Sequence, residues 1–328
     1  MNLTEKRSNF VVADIGGTNA RFGIVMRDGV ISEIEVLPCQ EYVGLRDAFI
    51  DYIERRDLNA TRLALAVACP VDQEQIRFTN NHWSFEKSKI ARNLGLEKAI
   101  LVNDFTAQSL AVAFLNPDVY RTLQLGEGDH SERPILVIGP GTGLGVGGLV
   151  YGPDQQLVIL DGEGGHVTVT PKTALEYEII KYLENRWPHV SAERLVSGPG
   201  LSNIYESLCA IRDVIPSVGS PSEISAIADV DPLAREALDI FASFFGTVAS
   251  NACLTMGAGS VVIAGGVIPK LDHHFNDDIF LSRFCEKGRL SELLSRVSIK
   301  IQPDSEAALV GLANAFDVNS LKSKVISA

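Results

Sequence analysis

The sequence predicts an α/β protein of two domains, each opened by the same strand–turn–strand unit. Its 328 residues exceed the size, about 250–300 residues, at which one hydrophobic core stops growing. Apolar runs of strand length alternate with segments of helical spacing along the chain. A Gly-Thr turn between two strands also occurs twice, Gly17-Thr18 followed by Gly23 and Gly141-Thr142 followed by Gly147. This repeat implies a duplicated α/β unit with a cleft between the copies. Periodic glycines selected by hairpin turns are the plainer source of the same pattern.

Taken in order, Phe10–Ile15, Arg21–Met26 and Ile31–Leu37 read as three short strands, the first two joined by a Gly-Gly turn. Tyr42–Arg56 places Leu45, Phe49 and Tyr52/Ile53 on one side of a helix. Arg62–Pro70, RLALAVACP, is an almost continuous apolar run ended by proline, as in a central strand covered on both faces. Ile100–Val102 is another strand, with Thr106–Phe114 the helix behind it. Three strands between Ile135 and Leu160 restart the pattern. Thr173-Ala-Leu-Glu176 is a capping box before a helix carrying Leu175, Ile179 and Leu183. Phe241, Phe244, Phe245, Val248 and Ala252 mark a long helix that Gly257 and Gly259 stop. SVVIAGGV and SIKIQ are two more strands, and Glu306–Phe316 a closing helix.

Composition narrows the functional classes. Hydrophobic residues are 46% and charged residues 21% of the chain, ordinary for a folded globular protein. A net charge of −12 opposes wrapping nucleic acid or lying on an anionic membrane. The polar start, MNLTEKRSNF, lacks a signal-peptide core, and no uninterrupted apolar run approaches the ~18 residues of a membrane span. Five scattered cysteines without a C-x-x-C pair read as reduced core thiols of a cytoplasmic protein.

Several short stretches carry chemistry. ADIGGTNAR sets Asp14 at a strand end before Gly16-Gly17-Thr18, where glycines let backbone N–H groups converge on an anion. A type I′ hairpin turn is the plainer reading of the glycines. Asp14 exceeds what a turn requires, because a carboxylate beside phosphate oxygens repels them unless a metal intervenes. GPGTGLGVGG matches G-x-G-x-x-G formally, but it continues as a strand and so is not a dinucleotide fingerprint. Two facing Gly-Thr turns would instead grip one polyphosphate. Gly265-Gly266 follows a buried strand, where a purine or a simple strand-to-helix turn fits equally.

Glu163 and His166 share the glycine-rich DGEGGHV turn, and Glu193 is expected in the first turn of a helix capped by Ser191. For Glu193 the helix dipole offers a structural explanation. Asn103, Asp104 and Thr106 are three cap-competent residues where a helix needs one, at the carboxyl end of a strand. In open α/β sheets, ligands bind at such ends.

The stretches DIGGTNARFGI, ACPV with TNNHWSF, VNDFTAQS, GPGTGLGVGGLV, GEGGHV, HVSAERLVSGPGL and VVIAGGVIP fall in the order and spacing of one family. Together they resemble bacterial glucokinase, the non-zinc branch of the sugar kinase/hexokinase/actin-like superfamily, over Val11 to Leu312. Pro140 departs from its pattern locally. The resemblance implies a two-domain actin-like ATPase (ribonuclease H-like) fold with an interdomain cleft. The implied small domain is 1–115 plus 305–328, and the large domain 116–304.

By the same resemblance, MgATP phosphorylates the 6-hydroxyl of D-glucose at the entry to glycolysis, with Asp104 as catalytic base. Asn103, Glu163, His166 and Glu193 would be the other glucose contacts. Ala13, Asp14, Ile15, Gly16, Gly17 and Thr18 would form the first ATP loop. Gly141, Thr142, Gly143 and Gly145 would form the second, with Gly265 and Gly266 at the adenosine. Asp14 would orient Mg²⁺ through water, and the protein would be a homodimer. The alternatives are a same-fold kinase of another hexose or N-acylhexosamine, and a non-catalytic sugar-sensing regulator. The regulator is disfavoured by the charge and by the roughly ten residues before the first strand, too few for a DNA-binding helix-turn-helix.

Overall fold

The computed structural model describes residues 10–78, 81–127, 132–303 and 306–328. The polar stretch 1–9, and Thr79 and Asn80 of TNNHWSF, lie outside them. By its internal contacts the chain divides into two units. One is Met1–Asn116 with Gly152–Ile159 and Ser305–Ala328, the other Pro117–Tyr151 with Leu160–Asp304.

The first unit contains strands β1 (Phe10–Ile15), β2 (Asn19–Val25), β3 (Ile31–Pro38), β4 (Arg62–Val67), β5 (Gln75–Arg77), β6 (Ser84–Glu86) and β7 (Lys98–Asn103). β5 and β6 form a small antiparallel pair of their own. The second sheet uses β8 (Arg121–Gln124), β9 (Ile135–Pro140), β10 (Leu144–Tyr151), β11 (Leu157–Leu160), β12 (Ser260–Ile263) and β13 (Ser298–Ile301). The C-terminal β14 (Val325–Ser327) completes the first sheet, whose order is β14-β7-β4-β1-β2-β3. The second runs β11-β10-β9-β12-β13-β8.

Read from β3 and from β11, the two orders correspond strand by strand. In each, a first strand pairs antiparallel with its hairpin partner and parallel with a strand on its other side. A second parallel strand and an antiparallel edge strand follow. The repeated Gly-Thr turn therefore reflects a duplicated topology.

Register fixes what stands at the strand ends. Ile15 is level with Val67, and Val67 with Asn103, so the glycine turn after β1 and the Asn103-Asp104 pair leave one edge of their sheet. In the second sheet Ile138, Ile263 and Ile301 are level, which aligns the turn after β9 with Ala264-Gly265.

Helices cover each sheet by burying one stripe. Leu45–Glu54 buries Leu45, Ala48, Phe49 and Tyr52, with Tyr52 stacked 5.1 Å from Phe22. Asp104–Ala111 packs against Ala307–Ala313 so closely that a Cβ on Gly311 would lie 2.1 Å from the Ala107 carbonyl oxygen. In the second unit the 25-residue helix Pro232–Met256 buries Phe241, Phe244 and Phe245, and Phe245 lies 5.0 Å from Phe280. Asp231 caps its start, and Gly257, at φ 65°, ends it in the left-handed region that glycine occupies without strain. The Thr173/Glu176 capping box is present. Buried Glu176 also receives Arg283 at 2.7 Å.

One expected element is different. Ala192–Arg194 is a single 3₁₀ turn, and Ser191 makes no side-chain capping bond. The helix begins later, at Gly198–Ile211, where Ser197 accepts from the Gly200 N–H and Pro199 stands in the first turn. Glu193 therefore lies in an isolated 3₁₀ turn and not in the first turn of an α-helix, and the dipole explanation for its carboxylate lapses.

Candidate active site

In the first unit, Asn103 is the helix cap. Its Oδ1 accepts from the Phe105 N–H at 2.9 Å, while its Nδ2 reaches the carbonyls of Val67 and Cys69 at 3.5 and 3.4 Å. Asn103 thereby ties the end of β7 to the end of β4. Asp104 occupies the first helical position, half-buried, with Oδ1 also receiving the Phe105 N–H at 2.8 Å. Thr106 is buried in the helix. Of three cap-competent residues, the amide caps, and one carboxylate oxygen is oriented by the helix start. Burial pushes the neighbouring Cys69 thiol up to about 11, and the Asp104 charge adds to the shift.

The turn after β1 closes through Gly16 N–H to the Asn19 carbonyl at 2.9 Å. The glycines with positive φ among the described residues are Gly29, Gly95, Gly257, Gly265 and Gly288. A type I′ turn needs positive φ at both central residues, so this turn is of another kind. A Cβ on Gly16 would meet only the Asn19 oxygen, at an ordinary 3.6 Å. Neither backbone strain nor crowding requires glycine at 16, and the position has room for close approach of a group from outside the turn. Ala13 and Ile15 are fully buried, so they can serve a nucleotide only through the strand they build. Asp14 is half-buried, two residues before Gly16, and its carboxylate is a hard oxygen donor of the kind Mg²⁺ takes.

In the second unit three sequence-distant stretches converge on Leu144. The turn before it closes through Gly141 N–H to the Gly143 carbonyl at 2.7 Å. Leu144 N–H donates to Glu193 Oε2 at 3.0 Å. A Cβ on Gly143 would lie 2.4 Å from that same oxygen, so glycine there makes room for the carboxylate. The Glu163–His166 turn lies against the start of β10. A Cβ on Gly165 would stand 2.1 Å from the Leu144 carbonyl oxygen, and one on Gly164 2.8 Å from Val146. Those two glycines thus have a packing cause. Glu163 and His166 stay exposed, with His166 Nε2 3.8 Å from Glu163 Oε2. Ala192 N–H to the Val167 carbonyl at 2.9 Å joins this turn to the Glu193 stretch.

Gly145 lies within β10, opposite Gly139, and Thr142 is exposed at the tip of its turn. A Cβ on Gly141 would meet nothing nearer than 4.0 Å, so Gly141 resembles Gly16 in having no fold requirement. Gly265 differs. Its φ is +82°, and a Cβ there would lie 2.7 Å from the Pro140 carbonyl oxygen, so the backbone alone demands glycine. Gly266 flanks the short helix Val267–Leu271.

The sequence reading missed Asn81 and Gly198. Asn81 Nδ2 donates to the Gly16 carbonyl at 3.2 Å, and Gly198 N–H to the Gly141 carbonyl at 2.8 Å. No local pattern announces a bond spanning 65 residues. The proline following Gly198 was a signal for the helix start it opens.

Comparison with known proteins finds glucokinases both by sequence and by fold. The glucokinase family model covers residues 11–319. The glucokinase of Neisseria gonorrhoeae is 43% identical over 317 residues, 95% of each chain. A glucokinase crystal structure from an Antarctic psychrotroph shares the fold at a TM-score of 0.82 and 29% identity, covering 93% of this chain and 97% of its own. The ROK family glucokinase of Streptomyces griseus, solved with glucose and AMPPNP, shares the fold at a TM-score of 0.60 and 19% identity, covering 93% and 98%. The model match spans both glycine turns, the Asn103-Asp104 strand end and the stretches around Leu144. This chain belongs to the glucokinase family.

Proposed function

We propose that the protein transfers the γ-phosphoryl group of MgATP to the 6-hydroxyl of D-glucose, giving glucose 6-phosphate and ADP. The observation carrying this reading is Asp104, an oriented carboxylate at a parallel strand end, beside the turn whose Gly16 is uncrowded. Asp104 accepts the O6 proton as the O6–Pγ bond forms and the bond from Pγ to the bridging oxygen of ADP breaks. Such transfers have a loose transition state, so the protein's task is positioning and charge stabilisation. The N–H groups of the two glycine turns bind phosphate oxygens. Asp14 would hold Mg²⁺, through water, and the ion would supply charge neutralisation to the transferring group.

Asn103, Glu163, His166 and Glu193 meet sugar hydroxyls in this reading. Where sugar binding buries such polar groups, analogues lacking a hydroxyl are rejected, because the groups would then be left unpaired. Membership of the glucokinase family and the ligands of the Streptomyces griseus structure support glucose and ATP as the substrates. Cytoplasmic placement accords with five free thiols, and a homodimer completes the reading. The test is ADP release with glucose, mannose, fructose and N-acetylglucosamine, each with and without Mg²⁺. Magnesium-dependent turnover highest on glucose is expected. Preference for N-acetylglucosamine would favour the hexosamine-kinase alternative, and no turnover on any sugar the regulator.

A further inference from the structure

Both glycine turns are held from outside by the carbonyl of their first residue. Gly16 O receives Asn81 Nδ2 at 3.2 Å, and Gly141 O receives the Gly198 N–H at 2.8 Å. A peptide unit is planar and trans, so the C=O of one residue and the N–H of the next point in opposite directions. Fixing Gly16 O therefore fixes where the Gly17 N–H points, and fixing Gly141 O does the same for Thr142 N–H. A Gly-Gly peptide especially needs this, because without Cβ atoms its alternative orientations differ little in energy.

Asn81 is itself set rigidly. Its Oδ1 accepts the Trp83 N–H at 2.6 Å, and the buried Trp83 donates its indole N–H to the carbonyls of Cys39 and Tyr42 at 3.1 and 3.2 Å. Cys39 closes the frame by donating its N–H to Thr18 O at 2.8 Å. An asparagine serving only its local turn would need Oδ1 alone. Here the amide nitrogen is spent on a carbonyl 65 residues away.

We propose that Asn81 is a positioning residue for MgATP, holding the Gly16–Gly17 peptide so that the Gly17 N–H faces the nucleotide phosphates. The inference rests on the kinase reading above. In the second turn a backbone N–H performs the equivalent task, so only the first can be disabled by replacing a side chain.

The experiment measures MgATP affinity by calorimetry, KM for ATP and for glucose, and Tm, in wild type, Asn81→Ala and Asn81→Asp. Asn81→Asp keeps the acceptor for Trp83 and loses the donor, and Asn81→Ala loses both without adding charge. Both should weaken MgATP binding and raise its KM, by roughly 2- to 12-fold for Asn81→Ala, the equivalent of one hydrogen bond. Glucose KM should stay at the wild-type value in both variants, and Tm in Asn81→Asp, which keeps the Trp83 acceptor. Unchanged MgATP affinity in Asn81→Ala would overturn the proposal. So would a fall in Tm with both KM values rising together, the mark of a purely structural residue. Wild type that binds MgATP but does not phosphorylate glucose would refute the kinase reading and leave calorimetry to decide Asn81. Wild type that binds no MgATP would refute both.

Discussion

Gly143→Ala isolates the contact between the second glycine turn and Glu193. The backbone at 143 is outside the left-handed region, so alanine meets no conformational strain there. Its Cβ would lie 2.4 Å from Glu193 Oε2, and the next two atoms, at 3.2 and 3.9 Å, also belong to Glu193. The glutamate must swing away, and its 3.0 Å bond from Leu144 N–H is lost. A hydrogen bond to a charged group contributes about 1.5–3 kcal/mol, so kcat/KM for glucose should fall roughly 10- to 150-fold. The assay is coupled ADP release on wild type, Gly143→Ala, Glu193→Ala and the double variant. With Glu193 truncated, all three atoms are gone, and Gly143→Ala should then cost no more than ~0.5 kcal/mol, the usual scatter of uncoupled changes. If it costs as much in that background as in wild type, the glycine is not there for the carboxylate and the reasoning fails.

Gly16→Ala and Gly141→Ala should leave Tm unchanged, since the added methyl has ordinary contacts or open space, while raising KM for ATP. A loss of Tm would show that the fold needs these glycines after all. Gly165→Ala, with a backbone oxygen 2.1 Å from its Cβ, should instead lower stability, by the roughly 1–3 kcal/mol of overpacking, read from thermal unfolding. Arg283→Ala leaves Glu176, 3% exposed, as a buried charge without its guanidinium, and should cost about 3–5 kcal/mol. A near-wild-type melt would show that Glu176's backbone donors suffice. Cys69, its thiol raised to about 11, stays protonated from neutral pH to about pH 10 and should resist iodoacetamide in the folded protein. Rapid alkylation at pH 8, followed by mass spectrometry, would contradict that environment.

What the sequence discloses depends on how local each signal is. The strand β1, the Thr173/Glu176 capping box and the Gly257 stop rest on neighbouring residues, and all three stand where the pattern places them. The helix start near Glu193 was misplaced because Ser191 and Ser197 are equally good caps in sequence, and only packing chooses between them. Asn103, rather than Asp104, became the cap because its amide could also bond the end of β4. The edge strands β8 and β14, four and three residues long, are too short to announce themselves, and they exist by pairing with β13 and β7. At the site, residue types were legible but their causes were not. The glycines at 164, 165 and 265 have packing causes that the sequence does not show, the Val146 side chain at 164 and backbone at 165 and 265, whereas Gly16 and Gly141 stand in uncrowded turns. The brace from Asn81 to Gly16 joins residues on different elements, a contact that no spacing rule foresees.

The measurement bearing most directly on Asp104 as the base is single-turnover and steady-state phosphorylation of glucose by Asp104→Asn. The substitution preserves shape and keeps an acceptor for the Phe105 N–H, so Tm should hold within a degree or so of wild type. General-base catalysis predicts kcat lower by roughly 10²–10⁴ with glucose KM little changed. Turnover close to wild type would contradict the account and leave residue 104 as no more than the first residue of a helix.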